Sequence, residues 1–588
     1  MNDEKLEAAL NLSLGVNEEQ RQKSEILSNG FDEASRTWEV IVKYHGSMDE
    51  IINMAESVEV LLNGYAIVRA TKEQLQQIAG QEQIEFIEIP KGMQFEVYRE
   101  KQASCILPVV TGQGRLSGKG VLVACIDSGI DYLLHDFRNE SGSRILYLWD
   151  QTLELTGNGN KKFPVGVEFT KADIDRAITA ANTNGRMNYR AAREIVPSID
   201  SSGHGTAVAG IAAGNSMSIL YQGVAPESEL IIVKLRGQRE NVPLTTDLMR
   251  GITYVVQKAQ ELGRPLAINL SIGDTYGAHD GTSLLERFID SVCENGRIVI
   301  CIGAGNEAVA NGHTSFVPIE EERIELSVAE GERGTNIQLW KNYVDECSLT
   351  IEAPSGERYI VDMTNRGMQQ WTIGSTQVLI YVAPPKPFSV NEEIFFDFIP
   401  TNEYIETGIW SFIITPLNAQ QHDYHMFLPG ATVRNFGTRF LRPDPDLTMT
   451  VPAFAVRAVT VGAYDIVTNS YADFSGRDRV LGEEGRIFFA TDSKPDIAAP
   501  GVGIRAPVAG GGYASFTGTS FATPIVTGSV ALMMEWGIVN GNDLFLYGEK
   551  VKAYLRKGAK RLDGDRLYPN NKTGYGALCL EESFRENI

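Results

Sequence analysis

Continuous apolar runs that alternate with helical stretches constrain this chain more than any other feature. The runs lie at 120–126, 230–234, 265–270 and 297–302. Stretches of helical character separate them, at 205–213, 245–262 and 283–293. A strand that is buried on both faces has a continuous apolar sequence, and strands that alternate with helices form a parallel sheet. We therefore expect an α/β fold, with a parallel sheet and helices on both of its faces.

Composition narrows the classes of function. The 588 residues carry 53 basic and 75 acidic side chains, for a formal net charge of −22. An acidic surface opposes binding to nucleic acid or to anionic membranes, so we expect neither as a partner. The segment Met1 to Lys5 is acidic, and no apolar core of signal-peptide length follows it. We therefore expect no signal peptide and synthesis in the cytoplasm.

One stretch, from Phe521 to Ile538, is almost free of charge and resembles a membrane helix in composition. It is interrupted by Pro524, Gly528 and Glu535. These residues favour a helix buried in a protein core over a helix that crosses a bilayer. We therefore expect no membrane span.

The six cysteines follow neither the spacing of a metal site nor that of a disulfide framework. They are Cys105, Cys125, Cys293, Cys301, Cys347 and Cys579. We expect reduced thiols, without disulfides and without a zinc site. One alternative is a metal site at the segment 422–425, where His422 and His425 could be ligands, although no third ligand is near them in the sequence. Otherwise we expect neither a metal nor a cofactor.

The first hundred residues have a pattern of their own. Residues 1–35 are polar and indicate either a short helix or a loose leader. From Trp38 to Val97, strand and helix patterns follow one another in the order β-α-β-β-α-β. This order within about 60 residues is typical of a small α+β unit of the split βαβ type. We therefore predict a separate N-terminal domain at residues 1–100.

A third pattern occupies residues 316–450. Short alternating strands are separated by turn residues, and helical periodicity is rare. This pattern is typical of a β-sandwich. Because the α/β pattern resumes near residue 456, we predict that the sandwich is inserted into one α/β domain. The two parts of that domain would be residues 101–315 and 451–588.

Three short motifs carry the chemistry. Asp127 follows a predicted strand, His204 begins a predicted helix, and Ser520 lies near the start of another. A serine hydroxyl becomes a useful nucleophile when an imidazole takes its proton, and a carboxylate fixes and stabilises that imidazole. In open α/β sheets, residues at the carboxyl ends of strands meet at one edge. We therefore predict a catalytic triad.

These motifs and their order, Asp, His, Ser, resemble those of the subtilisin-type serine proteases, the subtilases. The segments 223–226, 269–273, 303–307 and 494–501 resemble further signatures of that family. The resemblance implies that Asn306 donates to the oxyanion. It also implies that the substrate lies along two segments, which consist of Ser271, Ile272, Gly273, Gly303, Ala304 and Gly305.

The sequence departs from the family pattern at several positions. Phe521 follows the nucleophile where the family usually has Met, and Asp274 stands where secreted subtilisins usually have Gly. In the loop that resembles the family's calcium site, Met217 replaces an Asn ligand, although Asp136 matches another ligand. A thioether is a poor calcium ligand, so we expect no calcium site there. We interpret the segment 145–152 as an acquired loop.

The N-terminal domain resembles subtilase propeptides, which assist folding and inhibit the active site. The spacing of the family implies a cut between Glu96 and Gln102, made by the enzyme itself. The whole architecture is similar to that of the clostridial Csp germination proteases, whose insertion is a jelly roll. The resemblance implies that the propeptide lies in the cleft, that the protein is held in the spore, and that its substrate is a cortex-lytic pro-enzyme.

Two alternatives stay open at this point. One is a general intracellular subtilisin-like protease, although such enzymes usually lack the β insertion. The other is a pseudoprotease whose propeptide blocks the cleft permanently and which acts as a binding or signalling module. Intact triad residues argue against loss of the chemistry, but they do not exclude a blocked cleft.

Overall fold

The computed structural model describes most of the chain. It describes residues 3–584 apart from residues 25, 92–93, 96–102, 112–114, 155–162, 164, 184–185, 217–220, 240–241, 420–421 and 480–493. The predicted cleavage window, Glu96 to Gln102, and the predicted calcium-loop residue Met217 both lie outside the described residues.

A nine-stranded sheet forms the centre of the α/β part. Its strands are, in spatial order, Val167–Thr170, Ile145–Asp150, Glu229–Lys234, Leu122–Asp127, Leu266–Leu270, Ile298–Gly303, Val459–Asp465 and Ser470–Tyr471, with Ile497–Pro500 also paired to Val459–Asp465. All pairs are parallel except those made by Val167–Thr170 and by Ser470–Tyr471. The apolar runs therefore form a largely parallel sheet, and the predicted fold class is confirmed.

Helices cover both faces of this sheet. The longer ones are Lys171–Ala181, His204–Ala213, Thr245–Leu262, Leu284–Cys293, Thr519–Met534 and Glu549–Lys557. The helices His204–Ala213 and Thr519–Met534 pack together in the core on one face, and Thr245–Leu262 and Leu284–Cys293 pack on the other. The stretch Thr519–Val539 is long and apolar enough to cross a membrane, but 89% of its most apolar window is buried inside the protein.

The interpretation of segment 145–152 as an acquired loop was wrong. Ile145–Asp150 is a strand of the central sheet, parallel to Glu229–Lys234 and antiparallel to Val167–Thr170. Its side chains Ile145 and Leu148 are fully buried in the core. The continuous apolar sequence of this segment, which is the pattern of a buried strand, was the better guide.

An antiparallel sheet of five strands forms the N-terminal unit, residues 31–95. Its strands are Phe31–Asp32, Thr37–Tyr44, Ser57–Val60, Tyr65–Ala70 and Ile84–Glu88, and its helices are Asp49–Ile52 and Lys72–Ala79. One face of the sheet packs on the helices of the α/β part, where the rings of Tyr65 and Phe288 are 5.2 Å apart. The other face carries the unit's own helices.

The leader, residues 3–30, is neither exposed nor loose. It forms the helices Ala8–Gly15 and Glu18–Lys23, and it packs between the N-terminal unit and the insert. The buried apolar side chains on the leader side are Leu6, Ala8, Ala9, Leu10, Leu12, Leu14, Val16, Ile26 and Leu27, and those on the insert side are Leu379, Tyr381, Ala383, Phe395 and Ile399. The leader therefore ties the N-terminal unit to the insert.

The insert consists of two antiparallel sheets. One contains His313–Phe316, Tyr424–Phe427, Thr335–Asn342, Asn391–Pro400, Thr376–Val382 and Gln369–Ile373; the other contains Arg358–Val361, Cys347–Glu352, Gly408–Pro416, Glu322–Val328 and Arg439–Phe440. Both sheets contribute to one apolar core around Trp410, Phe396 and Phe412. The insert is therefore a sandwich, and the finer jelly-roll topology stays a prediction.

The prediction that all six cysteines are reduced was wrong. Cys105 and Cys579 form a disulfide, whereas Cys125, Cys293, Cys301 and Cys347 are free and buried. The two bonded cysteines are 474 residues apart in sequence. They meet because the segment before the helix Leu107–Thr111 lies against the C-terminal helix Leu580–Phe584, where the N–H of Leu580 donates to the carbonyl of Ser104 at 3.0 Å.

Candidate active site

Asp127 and His204 form a buried pair at the carboxyl edge of the sheet. Asp127 ends the strand Leu122–Asp127, and His204 begins the helix His204–Ala213. Gly203, before this helix, has a φ of 74°, a left-handed conformation that glycine adopts without strain. The Nδ1 of the histidine lies 2.7 Å from Oδ1 of the aspartate, and both side chains are 1% exposed. Because the carboxylate faces Nδ1, the other ring nitrogen can serve as the base.

A buried carboxylate that the sequence analysis missed, Asp200, joins these two elements. Its Oδ2 accepts from the backbone N–H and the hydroxyl of Thr206, at 2.9 and 2.6 Å. Its Oδ1 accepts from the hydroxyl of Ser128 at 2.8 Å, and the backbone N–H of Ser128 donates to Asp127 at 2.6 Å. Asp200 therefore fixes the aspartate strand relative to the histidine helix. The sequence signal that could have identified Asp200 is its position shortly before a helix, where Asp side chains accept hydrogen bonds from the backbone N–H groups of the first turn.

Ser520 is the second residue of the helix Thr519–Met534 and is buried. Its hydroxyl points toward the backbone carbonyl of Ser271, 3.4 Å away. The ring of Phe521 meets the ring of His204 edge-on, with 5.4 Å between the centroids. This contact holds the start of the serine helix beside the imidazole. The helix N-terminus also places the positive end of the helix dipole next to the nucleophile.

A chain of hydrogen bonds fixes the substrate-facing residue Ser271. Its hydroxyl donates to the carbonyl of Ser520 at 2.9 Å and accepts from the amide nitrogen of Asn269 at 2.9 Å. The oxygen of Asn269 in turn accepts from the hydroxyl of Thr527 at 3.0 Å. The substrate strand is therefore tied to the helix that carries the nucleophile.

The next two residues, Ile272 and Gly273, form a short strand that is already paired. The tail of the N-terminal unit, Gln94–Phe95, lies antiparallel to it, with Phe95 opposite Ile272 and Gln94 opposite Gly273. From Gln94 to Phe95 the tail runs in the direction that leads from Gly273 toward Ser271. The N-terminal unit therefore occupies the substrate strand and heads for the nucleophile.

On the other side of Ser520 lies the predicted oxyanion loop, Gly303–Asn306. The side-chain oxygen of Asn306 accepts from the backbone N–H of Thr519 at 3.1 Å and from its hydroxyl at 3.4 Å. The N–H of Gly305 donates to the same hydroxyl at 3.1 Å, and Ala304 is fully buried. Because its oxygen faces the serine helix, Asn306 presents its NH₂ group to the cleft. This is the donor that a developing oxyanion needs.

Asp274, the departure just after the substrate strand, is a buried carboxyl. Its Oδ1 accepts from the N–H of Tyr276 at 2.7 Å. Burial is the main cause that raises its pKa, to about 8. At neutral pH the group is therefore mostly protonated, and it places little negative charge beside the cleft.

The other singled-out residues have contacts outside the triad. Asp131 accepts from the backbone N–H of Gly510 at 2.8 Å, so it holds a loop. Asp136, the calcium-ligand match, accepts from the hydroxyl of Tyr513 at 2.5 Å.

The two histidines of the alternative metal site have different partners. The Nδ1 of His422 lies 2.7 Å from Oδ1 of Asp345, and the Nδ1 of His425 lies 3.1 Å from Nε2 of His313. In the described part of the chain, no group of three or more His, Cys, Asp or Glu side chains is arranged to hold a metal ion.

The arrangement supports acyl transfer by a serine nucleophile. In such a reaction His204, oriented by Asp127, would take the proton of Ser520 and later return a proton to the leaving amine. Asn306 and the N-terminus of the serine helix would stabilise the negative charge of the tetrahedral intermediate. A peptide bond held along Ile272–Gly273 would present its carbonyl between nucleophile and donor.

Two family models match this chain. The model described as Subtilase family matches residues 118–373 and 440–576, and the model described as Csp protease B prodomain matches residues 4–91. The chain belongs to the subtilase family of serine endopeptidases. The second match covers the leader together with most of the N-terminal unit, and we call these two parts the prodomain from here on.

One solved structure is similar over nearly its whole length. The structure of the Clostridium perfringens CspB protease matches with a TM-score of 0.73 and 34% identity, over 82% of this chain and 95% of that chain. The PIII-type proteinase of Lactococcus lactis subsp. cremoris is 22% identical over 89% of this chain and 27% of that protein. The major intracellular serine protease of Bacillus subtilis is 36% identical over 20% of this chain and 33% of that protein. The chain spans about a quarter of the length of the first of these curated relatives.

Proposed function

We propose that this subtilase cleaves its own prodomain and then activates a cortex-lytic pro-enzyme by limited proteolysis during spore germination. The pairing of Gln94–Phe95 with the substrate strand carries the first half of the proposal, because it directs the prodomain tail to Ser520. The similarity to the C. perfringens CspB protease and the match to the Csp protease B prodomain support the second half. On this proposal the protein is held in the cortex or coat region of the spore.

A buried ion network holds the prodomain on the protease. Arg250, on the helix Thr245–Leu262, contacts Glu39 at 2.7 Å and Glu59 at 2.9 Å, and both glutamates belong to the prodomain. The hydroxyl of Thr246 donates to Glu39 at 2.8 Å. Burial by itself would raise the pKa of Glu39, but the Arg250 guanidinium outweighs burial and lowers it to about 2. These contacts support a prodomain that inhibits the enzyme before and after the cut.

The same contacts also favour a second candidate function. The prodomain touches the protease at the ion network and at the substrate strand, and its leader touches the insert. A prodomain held at three places could block the cleft permanently. In that case the protein would act as a pseudoprotease with a binding or signalling role, in spite of its complete triad.

Self-cleavage is tested by comparing Ser520→Ala with Ser529→Ala in a protease-free translation system. Ser529 lies in the same helix and donates to the carbonyl of Ile525 at 2.8 Å, so it is a matched control. We expect wild type and Ser529→Ala to be cut, and Ser520→Ala to stay full length. N-terminal sequencing should locate the cut between Glu96 and Gln102. The register in which Gln94–Phe95 pairs with the substrate strand favours the first peptide bond of this window, the one that follows Glu96.

A cut in Ser520→Ala would refute the triad assignment, and an uncut wild type would support the pseudoprotease. The choice of substrate is tested by incubating the processed protein with a candidate cortex-lytic pro-enzyme and, separately, with unfolded casein. We expect one discrete cut in the pro-enzyme. Extensive degradation of casein with no such cut would favour the general intracellular protease instead.

A further inference from the structure

The short segment Met449–Val451 is hydrogen-bonded to both walls of the substrate cleft. One wall is the substrate strand with the residue that follows it, and the other is the oxyanion loop Gly303–Asn306. Val451 exchanges two backbone hydrogen bonds with Asp274, at 2.8 and 2.9 Å, just beyond the substrate strand. The N–H of Thr450 donates to the carbonyl of Ala304 in the oxyanion loop at 3.0 Å. We call Met449–Val451 the floor segment, because it is bonded to both walls and lies between them.

The side chain of Thr450 fills the gap between the walls. A Cβ atom added to Gly273 would lie 2.4 Å from the Thr450 hydroxyl, and one added to Gly305 would lie 2.7 Å from its methyl group. A substrate residue whose carbonyl lies between Ser520 and Asn306 places its side chain beside this gap. The position of the floor segment therefore limits how deeply that side chain can enter.

The buried histidine His279 holds the floor segment in place. Its Nδ1 lies 2.9 Å from the carbonyl oxygen of Met449, and its Nε2 lies 3.1 Å from that of Thr275. The histidine is 2% exposed and has a φ of 51°, which is unusual for a residue other than glycine. One imidazole thus bridges the loop that follows the substrate strand and the segment that closes the cleft.

A neutral imidazole has one N–H, so it can donate to only one of these two carbonyls. Burial is the main cause that lowers the pKa of His279, to about 3, so the ring is neutral at physiological pH. We assign the proton to Nδ1, the nitrogen with the shorter contact, so that the carbonyl of Met449 is the acceptor. The single donor of the ring therefore serves the floor segment.

The insert fixes the plane of this ring. The ring of Phe427, in the insert, is stacked on His279 at 4.0 Å with an angle of 3°, and His313 is stacked against Phe427 at 4.6 Å. The hydroxyl of Thr275 also donates to the carbonyl of Leu428 at 2.8 Å. The loop that carries the histidine is thus seated on the insert.

We propose that His279 is a positioning residue for the substrate cleft. By donating a hydrogen bond to the carbonyl of Met449, it fixes the position of the floor segment relative to the cleft. By stacking on Phe427, it makes that position depend on how the insert packs against the protease. The insert thereby contributes to the selection of the side chain that precedes the cut bond. The inference rests on the proposed function only in using self-cleavage as its assay.

The test compares variants at His279 for the rate of self-cleavage in the full-length chain during cell-free translation. His279→Phe keeps an aromatic ring for the stack but loses the donor. His279→Asn keeps an N–H near the position of Nδ1 and tolerates the positive φ. His422→Phe, at an exposed position, is the control. Each is measured with the natural residue before the cut, as found by sequencing, and with alanine in that place.

We expect His279→Phe to slow cleavage of the natural site about 10-fold, the effect of losing one hydrogen bond of about 1.4 kcal/mol. Cleavage after alanine should slow less than about 2-fold, because the short side chain of alanine does not reach the floor segment. His279→Asn and His422→Phe should stay near wild type. Folding is checked by thermal unfolding in the Ser520→Ala background, and His279→Leu replaces the Phe variant if that one does not fold.

If His279→Phe slowed cleavage after the natural residue and after alanine equally, His279 would support the fold without influencing which side chain is accepted before the cut bond. That result would overturn the proposal. Unchanged cleavage in every donor-free variant would overturn it as well. A failure of the proposed function is seen separately, because Ser520→Ala would then be cut or the wild type would stay uncut.

Discussion

The side-chain oxygen of Asn306 accepts a hydrogen bond from the backbone N–H of Thr519, the residue that directly precedes the nucleophile, at 3.1 Å. The oxyanion donor and the nucleophile Ser520 therefore share one support, the first turn of the serine helix. Because this bond orients the amide, its NH₂ group is held toward the cleft before any substrate arrives. Catalysis then needs little reorganisation at this position.

Replacing Asn306 with alanine should slow self-cleavage by about 10²–10³-fold, because one oxyanion donor is lost. Binding of the prodomain should be unchanged, since Asn306 contacts the serine helix and not the prodomain in the described structure. The measurement is the rate of appearance of the two fragments, with the affinity of a separately added prodomain as the control. Wild-type cleavage kinetics would contradict the assigned role.

Replacing Asp200 with alanine should lower both stability and activity. The buried donors of Ser128 and Thr206 would lose their acceptor, at a cost of about 1–3 kcal/mol for each group left unpaired, and the half-buried N–H of Gly203 would lose it too. Asp131→Ala is the matched control, because Asp131 accepts from a loop N–H near the same site. Differential scanning calorimetry should show a clearly lower melting temperature for the Asp200 variant than for the control. Equal melting temperatures would refute the linking role.

Replacing Arg250 with methionine should weaken binding of the cleaved prodomain to the protease. It leaves Glu39 and Glu59 without their buried partner, and breaking such a pair costs about 3–5 kcal/mol. The dissociation rate of the prodomain, followed by native mass spectrometry, should rise by about 10²-fold or more. Arg457→Met, which removes an exposed ion pair with Glu294, should have almost no effect.

The contact between leader and insert should weaken as the pH rises. Asp397, in the insert, accepts a hydrogen bond from the hydroxyl of Ser24 in the leader, and burial raises its pKa to about 7. A carboxyl with a raised pKa stabilises the docked state fully below about pH 4, the value of a free Asp. That stabilisation is lost as the pH rises toward 7. Hydrogen-exchange protection of Ala8–Gly15 should therefore fall between about pH 4 and about pH 7.

The matched variant Asp397→Asn isolates this group from the other ionisable groups of the interface. Its protection factors should depend less on pH than those of the wild type over the same range. The same pH dependence in both proteins would show that another group is responsible.

The disulfide should hold the N-terminal end of the processed enzyme. The helix Leu107–Thr111 has no fully buried side chain and packs on the core through the half-buried Val109 and Val110, so Cys105–Cys579 adds a covalent attachment to a small apolar contact. Alkylation without reduction should leave both cysteines unlabelled. Reduction, or Cys579→Ser, should expose Arg115 to trypsin and lower the free energy of unfolding by about 2–4 kcal/mol. Labelling of Cys105 in the unreduced protein would contradict the bond.

The sequence motifs were sufficient to predict the fold class and to place Asp127, His204, Ser520 and Asn306 at one edge of the sheet. Asp127 directly follows a long apolar run, and His204 and Ser520 lie in the first turns of apolar helices, where sequence pattern and structure coincide. The order of strands and helices in the N-terminal unit, β-α-β-β-α-β from residue 37 to residue 88, was also predicted from the sequence.

Three features could not be predicted, for physical reasons. The leader helix Ala8–Gly15 is buried on nearly all sides, because it lies between two layers, so it has no clear amphipathic period to detect. The bond from Cys105 to Cys579 depends on tertiary structure that brings distant segments together. The role of His279 depends on stacking with Phe427, which no local pattern encodes.

The position of the leader between the prodomain and the insert has a consequence for synthesis. The leader leaves the ribosome well before its partner strands, Thr376–Val382 and Asn391–Pro400, are made. At roughly 5–20 residues per second, translation of the intervening chain takes about 20–70 s. During this interval one flank of an apolar helix has no partner on the nascent chain. We expect ribosome-associated chaperones to engage this flank until the insert has folded, so a helix that is made early is among the last to be enclosed.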